Sequence, residues 1–240
     1  MLEKTQGIVL STINYSDKYI LAPIYTNTFG RVTYMIPKTK GKSTKVHKSL
    51  FSPMSILDLE VDHQLSRDIQ RIREAHNAYP LFSIPTNIIK TSIVFFLSDF
   101  LNKVLKDTDE HEIIFKYLSQ SIQVLEESQK GLANYHIVFI LKLSRFLGFY
   151  PNFEDYDKGD IFDMLNGVFV KHQPLHKHFV NKNESETLAL LARINYDNMH
   201  HFLLSRQDRT NIINRMLEYY RIHLHDFPAL KSLDILHELF

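Results

Sequence analysis

The amino-acid sequence predicts an α+β chain: a small five-stranded Greek-key barrel over residues 1–80, then an all-α domain over residues 81–240 that carries an irregular or small β insertion at about residues 150–183. Three observations carry this reading. The first eighty residues hold short runs rich in β-branched and aromatic side chains. The segment YPLFSIPTN, with Pro80 and Pro85, interrupts them. Beyond it the apolar residues recur at helical spacing instead of alternating.

The barrel begins as a meander. QGIVLSTIN, KYILAPIYT and RVTYMIP are separated by Tyr15-Ser16-Asp17 and Asn27-Thr28-Phe29-Gly30, whose turn-forming residues close tight connections. In the third run Val32, Tyr34 and Ile36 share one face and Arg31, Thr33 and Met35 the other, the alternation of a strand with one buried side. Pro37 ends that strand because it has no N–H for a ladder. The acid-free segment PKTKGKSTKVHK follows, and Lys38, Lys40, Lys42, Lys45 and Lys48 are too polar and too closely spaced for a core element, so they belong to a projecting loop. MSILDLEV supplies a fourth strand. RDIQRIREAHNAY is read as the fifth because a barrel of this kind needs five strands, although the spacing of Ile69 and Ile72 also suits a helix.

The helical part has its own signals. Ile89, Ile93, Phe96, Leu97, Phe100, Leu101 and Val104 form the apolar stripe of a first helix. A second is expected to start at Asp109, whose spacing to Glu112 fits a capping box. YHIVFILKLSRFL is a third, stopped by Gly148 and Pro151. Asn183 with Glu186 marks a further start, RTNIINRMLEYYRIHLH is a long helix, and a short one follows Pro228. The insertion holds NFEDYDKGD and a hairpin centred on Asn166-Gly167.

Composition excludes several classes. Hydrophobic residues make up 44% and charged residues 23%, as in ordinary folded domains and unlike disordered chains. No apolar run is long enough to span a bilayer, and MLEKTQGIVL lacks the apolar stretch and cleavage site of a secretory signal, so a cytoplasmic protein without membrane contact is expected. There is no cysteine, hence no disulfide and no thiolate nucleophile or ligand. The net charge of +1 hides a segregation: residues 1–80 carry 11 Lys/Arg against 7 Asp/Glu, and the remainder 17 against 20. A local positive field of this kind points to a nucleic-acid-binding surface.

The order GIVLSTINYSDKYILAPIYTNTFGRVTYMIPK, a basic loop, then LFSPMSILDLEV resembles the amino-terminal barrel of the RecO family of recombination mediators and DNA repair proteins. NIIKTSIVFFLSDFLNKVL, FILKLSRFLGFYPNF and MLEYYRIHLHDFPALKSLDILHELF are similar to that family's helical segments, including the LGF-x-P turn. The resemblance spans essentially the whole chain. It implies an OB-fold barrel joined to a helical domain, with no catalysis and no cofactor. The implied activity is binding of single- and double-stranded DNA, annealing of complementary strands, and action with RecR and the single-strand DNA-binding protein so that RecA can replace the latter. Many members carry four cysteines as a zinc module after the LGF-x-P turn; this chain resembles a Bacteroidetes-like variant without them, so no metal is carried over. Many also have a glycine soon after the third strand, where this chain reads PKTKGK.

Arg31, Lys38, Lys40, Lys42, Lys45 and Lys48 are the candidate phosphate contacts, and Tyr15, Tyr19 and Tyr34 the candidate stacking platforms, against the alternative that these tyrosines are packing residues. Lys142 and Arg145 on the third helix are candidate contacts for the acidic tail of the single-strand DNA-binding protein, against the alternative of ordinary surface charge. GKST at residues 41–44 ends like a P-loop, but Ile36 stands where that motif needs glycine. His172, His176 and His178 with Asp157, Asp160 or Asp163 could supply metal ligands, which keeps a metal-dependent phosphoesterase as an alternative beside an RNA-binding module.

Overall fold

The computed structural model describes residues 2–38, 46–106, 111–234 and 236. Its strands are β1 (Leu2–Val9), β2 (Ile13–Asn14), β3 (Tyr19–Thr26), β4 (Gly30–Pro37), β5 (Ile56–Asp62) and β6 (Ile69–Tyr79). They follow the order β1-β5-β6-β4-β3-β2, and a second pairing of β1 with β3 closes five of them into a barrel. β4 and β6 run parallel and the other neighbours antiparallel. This is the OB-fold, as expected. The ambiguous RDIQRIREAHNAY is β6: Ile69 faces outward beside Thr33, whereas Ile72 packs on the core, so their spacing does not mark a helical stripe. The run QGIVLSTIN divides into β1 and the two-residue β2, because after Val9 the Leu10 N–H turns to the Pro23 carbonyl at 2.9 Å.

Inward residues fill the barrel: Val9, Ile20, Ile24, Tyr34, Ile36, Leu57, Leu59 and Val61. Val46 and Phe51 enter the same core, which anchors the chain on the far side of the basic segment. Closure rests on Gly7, which lies opposite both Thr26 of β3 and Leu57 of β5. A Cβ there would stand 2.5 Å from Ile24 Cγ2 and 2.9 Å from Leu59 Cδ1, so only glycine lets the three strands approach.

The chain forms two compact units, one from the described parts of Met1–Glu127 and Leu230–Leu236, the other from Ser128–Ala229. The sequence break near residue 80 separates strands from helices, but the first unit runs past it. Helices α1 (Ser83–Thr86), α2 (Ile88–Val104) and α3 (His111–Glu127) belong with the barrel. The Ser98 hydroxyl donates to the Leu10 carbonyl, and the His111 ring meets Tyr25 edge-on at 6.2 Å. Asp109, the expected cap of α3, lies outside the described residues.

A buried polar knot joins these helices. Glu126 accepts the N–H groups of Phe82, Ser83 and Ile84 at 2.8, 2.5 and 2.9 Å and so caps α1. Lys90, fully buried, donates from Nζ to Ser83 Oγ at 2.8 Å and to the Glu126 carbonyl at 2.7 Å. Burial pushes the Glu126 carboxyl up, but the three N–H groups and Lys90 outweigh it and hold its pKa below the ordinary value.

In the second unit α4 (Leu132–Phe146) ends before Gly148, whose φ of +84° suits glycine. The insertion is a three-stranded sheet, β8-β7-β9, of β7 (Ile161–Asp163), β8 (Val168–Val170) and β9 (Phe179–Val180). The hairpin expected at Asn166-Gly167 joins β7 to β8, and Asp163 shapes it by accepting the N–H groups of Leu165 and Asn166. Phe162 packs on Phe169 at 5.1 Å and on Tyr219 at 5.8 Å, an aromatic cluster in the stretch where the sequence has no cysteine.

Helix α5 (Lys182–Leu191) starts two residues before the expected position. The Asn-x-x-Glu spacing occurs twice in NKNESE, and the chain uses the first copy: Asn181 Oδ1 accepts the Glu184 N–H, while the Ser185 hydroxyl donates to the Val180 carbonyl of β9. Helix α6 (Arg206–His223) carries a capping box of Ser205 and Asp208. Of the short helix expected after Pro228, Leu233, Asp234 and Leu236 are helical, and residues 235 and 237–240 lie outside the described residues.

Glu126→Gln is expected to destabilise the protein by about 1–3 kcal/mol at neutral pH, the cost of weakening a charged acceptor of buried N–H groups. A carboxyl with a depressed folded pKa contributes stability above its unfolded pKa and loses it as pH falls through the folded one. The gap between wild type and variant should therefore shrink below about pH 4, measured by denaturant unfolding across that range.

Candidate nucleic-acid interface

The outer surface of the barrel changes character around the sheet. On the β1–β5 side Asp58, Glu60 and Asp62 point outward, Glu60 between Lys4 of β1 and Glu74 of β6 and Asp62 opposite Arg71. On the β3–β4–β6 side the outward rows place Tyr19 opposite Pro37, Leu21 opposite Met35, and Met35 beside Arg71. Ile13 lies opposite Leu21, and the Tyr15 N–H donates to the Tyr19 carbonyl at 3.3 Å, so Ile13 and Tyr15 extend the same face.

This second face combines apolar platforms with cations. Ile13, Tyr15 and Tyr19 are 55%, 58% and 39% exposed, high for large apolar side chains and sufficient for bases to reach them. Lys18 sits in the turn between Tyr15 and Tyr19, and its carbonyl accepts the Lys38 N–H at 2.8 Å, which brings both lysines to the edge from which the basic segment leaves. Lys18, Lys38 and Arg71 form no ion pair among the described residues. Arg67 and Arg73 stand 3.9 and 3.7 Å from Asp62. Arg73 is the extra residue of a β-bulge, since Val61 pairs with Ile72 and Glu60 with Glu74.

At the opposite end of β3 the helix α3 packs on β1 and β3. Tyr25 is fully buried under His111, and Arg31, its cross-strand partner, is half-buried. Tyr34 points into the barrel and is fully buried, which corrects its reading as a stacking platform: the alternation that made β4 a strand puts Tyr34 on the core side with Val32 and Ile36. Burial also pushes its hydroxyl well above the ordinary tyrosine pKa. Lys48 is exposed in a 3-10 turn, Lys48–Leu50, whose Leu50 packs on the core. Lys40, Lys42 and Lys45 lie outside the described residues. Lys18 and Arg71 were not singled out from sequence; alternation around Tyr19 and along β6 is the signal that places them beside the platform.

The remaining candidates fall in the second unit. On α4 the Lys142 ammonium lies 5.1 Å from the Tyr196 ring centre and the Arg145 guanidinium 4.4 Å from that of Tyr150, so both cations rest on aromatic surfaces. Burial lowers the Lys142 pKa, with Asp197 opposing and Arg145 adding to the shift. His176 approaches Asp163 at 3.3 Å, but that carboxylate is already engaged by Asn166 and Leu165, and no group of three His, Cys, Asp or Glu residues among those described could hold a metal ion. Ile36 occupies the core, which removes the P-loop reading of GKST. No helix among the described residues is long and apolar enough to cross a membrane.

An OB-fold barrel with a cationic, aromatic outer face, followed by a helical domain, defines a nucleic-acid-binding class of protein. The chain matches the family model "Recombination protein O N terminal" over residues 1–80 and "Recombination protein O C terminal" over residues 85–234. It is 48% identical to the DNA repair protein RecO of Azobacteroides pseudotrichonymphae, 43% to that of Phocaeicola vulgatus and 41% to that of Bacteroides fragilis, with all of each chain covered. The chain belongs to the RecO family of DNA repair proteins.

A Lys18→Glu, Arg71→Glu variant should bind single-stranded DNA more weakly, with a shallower dependence of log affinity on log salt: each lost phosphate contact lowers the slope by about 0.7 on a single strand. Fluorescence anisotropy between low and moderate salt measures it.

Proposed function

We propose that this RecO-family protein is a recombination mediator that binds single-stranded DNA along the outer face of β3, β4 and β6, anneals complementary strands, and helps a recombinase load onto strands coated by single-strand DNA-binding protein. The observation that carries the reading is the grouping of Lys18, Lys38 and Arg71 with the exposed Tyr15 and Tyr19 on the outer face of β3, β4 and β6. Phosphates are drawn to the cations of this face, while Tyr15 and Tyr19 accept bases without regard to sequence. Lys38 and Lys48, with Lys40, Lys42 and Lys45 between them in sequence, extend the cationic surface, and Arg31 is a half-buried member of it. The chemistry is binding and not catalysis. Duplex DNA is held through the same backbone contacts, without base stacking.

In this reading Lys142 and Arg145 take the acidic tail of the single-strand DNA-binding protein: the cations pair with its carboxylates and the neighbouring tyrosine rings offer apolar contact. RecR joins the assembly, RecA follows indirectly, no membrane takes part, and the protein works in the bacterial cytoplasm at the nucleoid.

One experiment separates the two surfaces: annealing of complementary oligonucleotides, naked or precoated with the cognate single-strand DNA-binding protein. Charge reversal at Lys18, Lys38 and Arg71 should abolish annealing of both, whereas Lys142→Glu, Arg145→Glu should lose only that of coated strands. Absence of annealing and of salt-sensitive DNA binding by wild type would sink the proposal; tighter binding to RNA than to DNA of equal length would favour an RNA-binding module instead.

A further inference from the structure

The loop between β5 and β6 carries an apolar tip on a rigid mount. Leu65 is 97% exposed, at the second position of the turn Gln64–Arg67 that the Arg67 N–H closes onto the Gln64 carbonyl at 3.0 Å. Turns of this kind favour polar or small residues there. Beneath it lies Gln70, on the inner side of β6 and only 2% exposed. Its Oε1 accepts the Gln64 N–H at 2.9 Å, and its Nε2 donates to the carbonyls of Gln64 and Arg67 at 2.8 and 2.5 Å. At the root of the loop the His63 ring stacks on Phe29 with centres 4.0 Å apart and planes 10° from parallel. A buried amide thus commits three hydrogen bonds to holding a turn whose apex is a solvated leucine.

The loop also stands in a useful place. Ile69 pairs with Thr33, Arg71 with Met35, and Tyr19 with Pro37, so the loop enters the outer β3–β4–β6 face from the end opposite Tyr15, Tyr19 and Lys38. At roughly 3.3 Å per strand residue the two ends are about 20 Å apart, a length that a few nucleotides cover.

We propose that Leu65 is a wedge that enters between neighbouring bases of a DNA strand lying on this face and unstacks them. The proposal rests on the DNA-binding reading above and adds to it a distortion of the bound strand. Apolar side chains of this size open base steps against the stacking between neighbouring bases. The cost is offset by removing Leu65 from water and by the pre-set turn, which loses little further freedom on binding. A strand whose intrastrand stacks are opened at one end and whose bases rest on tyrosines at the other presents itself extended to a complement.

The test uses the full-length protein and a single-stranded oligonucleotide with 2-aminopurine inside a run of adenines, whose fluorescence rises when stacking is lost; anisotropy of an end label reports binding separately. Wild type should raise 2-aminopurine fluorescence several-fold at saturation. Leu65→Ser should abolish the rise while changing affinity by less than about threefold, because an apolar tip releases no counterions. Leu65→Met should keep the rise, and Gln70→Leu should diminish it by loosening the mount. Binding by wild type without a rise, or a full rise with Leu65→Ser, would overturn the wedge and leave DNA binding standing. Absence of binding by wild type would overturn the DNA-binding reading, and the wedge with it.

Discussion

The closure of the barrel at Gly7 is the constraint on which the first unit depends. β1 pairs with β5 through Leu2–Ile8 and with β3 through Gly7–Val9, so one short stretch belongs to both edges of the sheet. The approach of Ile24 and Leu59 leaves no room for a side chain at that point. Once closed, the barrel has a single inside. Every alternating position on β3, β4 and β6 is then assigned to core or surface, and a register slip of one residue would bury Arg71 and expose Gln70.

Electrostatics follows from that assignment. Along β6 the closed sheet sets Arg71 between Met35 of β4 and Asp62 of β5, and Glu74 opposite Glu60. The bulge at Arg73 restores the inward phase at Ala75, which keeps Glu74 on the outer surface. In the second unit a different balance holds: the small sheet is held by tilted aromatic contacts of Phe162 and by the hydrogen bonds of Asp163.

Most of the fold was legible because alternation and helical spacing report burial directly. β4, α2 and α4, and the Asn166-Gly167 hairpin, stand where their patterns put them. Where local signals were degenerate, packing decided. The two Asn-x-x-Glu pairs in NKNESE are equivalent as caps until Val180 is placed in β9, and Ile69 and Ile72 resemble a helical stripe until β6 is paired. The end of the first unit at Glu127 was hidden, because Lys90, Glu126 and the α1 N-terminus meet only in three dimensions. The candidate site is legible by region more than by residue: Tyr15, Tyr19 and Lys38 lie together as their positions around the first turn and third strand imply, whereas Tyr34 lies on the core face of its own strand.

The most direct test is photocrosslinking with a single strand carrying 5-iododeoxyuridine, followed by mapping of the linked peptides. The expected products join DNA to peptides that contain Tyr15 and Tyr19, on the cationic face, and are lost in the Tyr15→Ala, Tyr19→Ala double variant. Crosslinks confined to the Asp58–Asp62 strand or to the second unit would contradict the placement of DNA on the outer face of β3, β4 and β6.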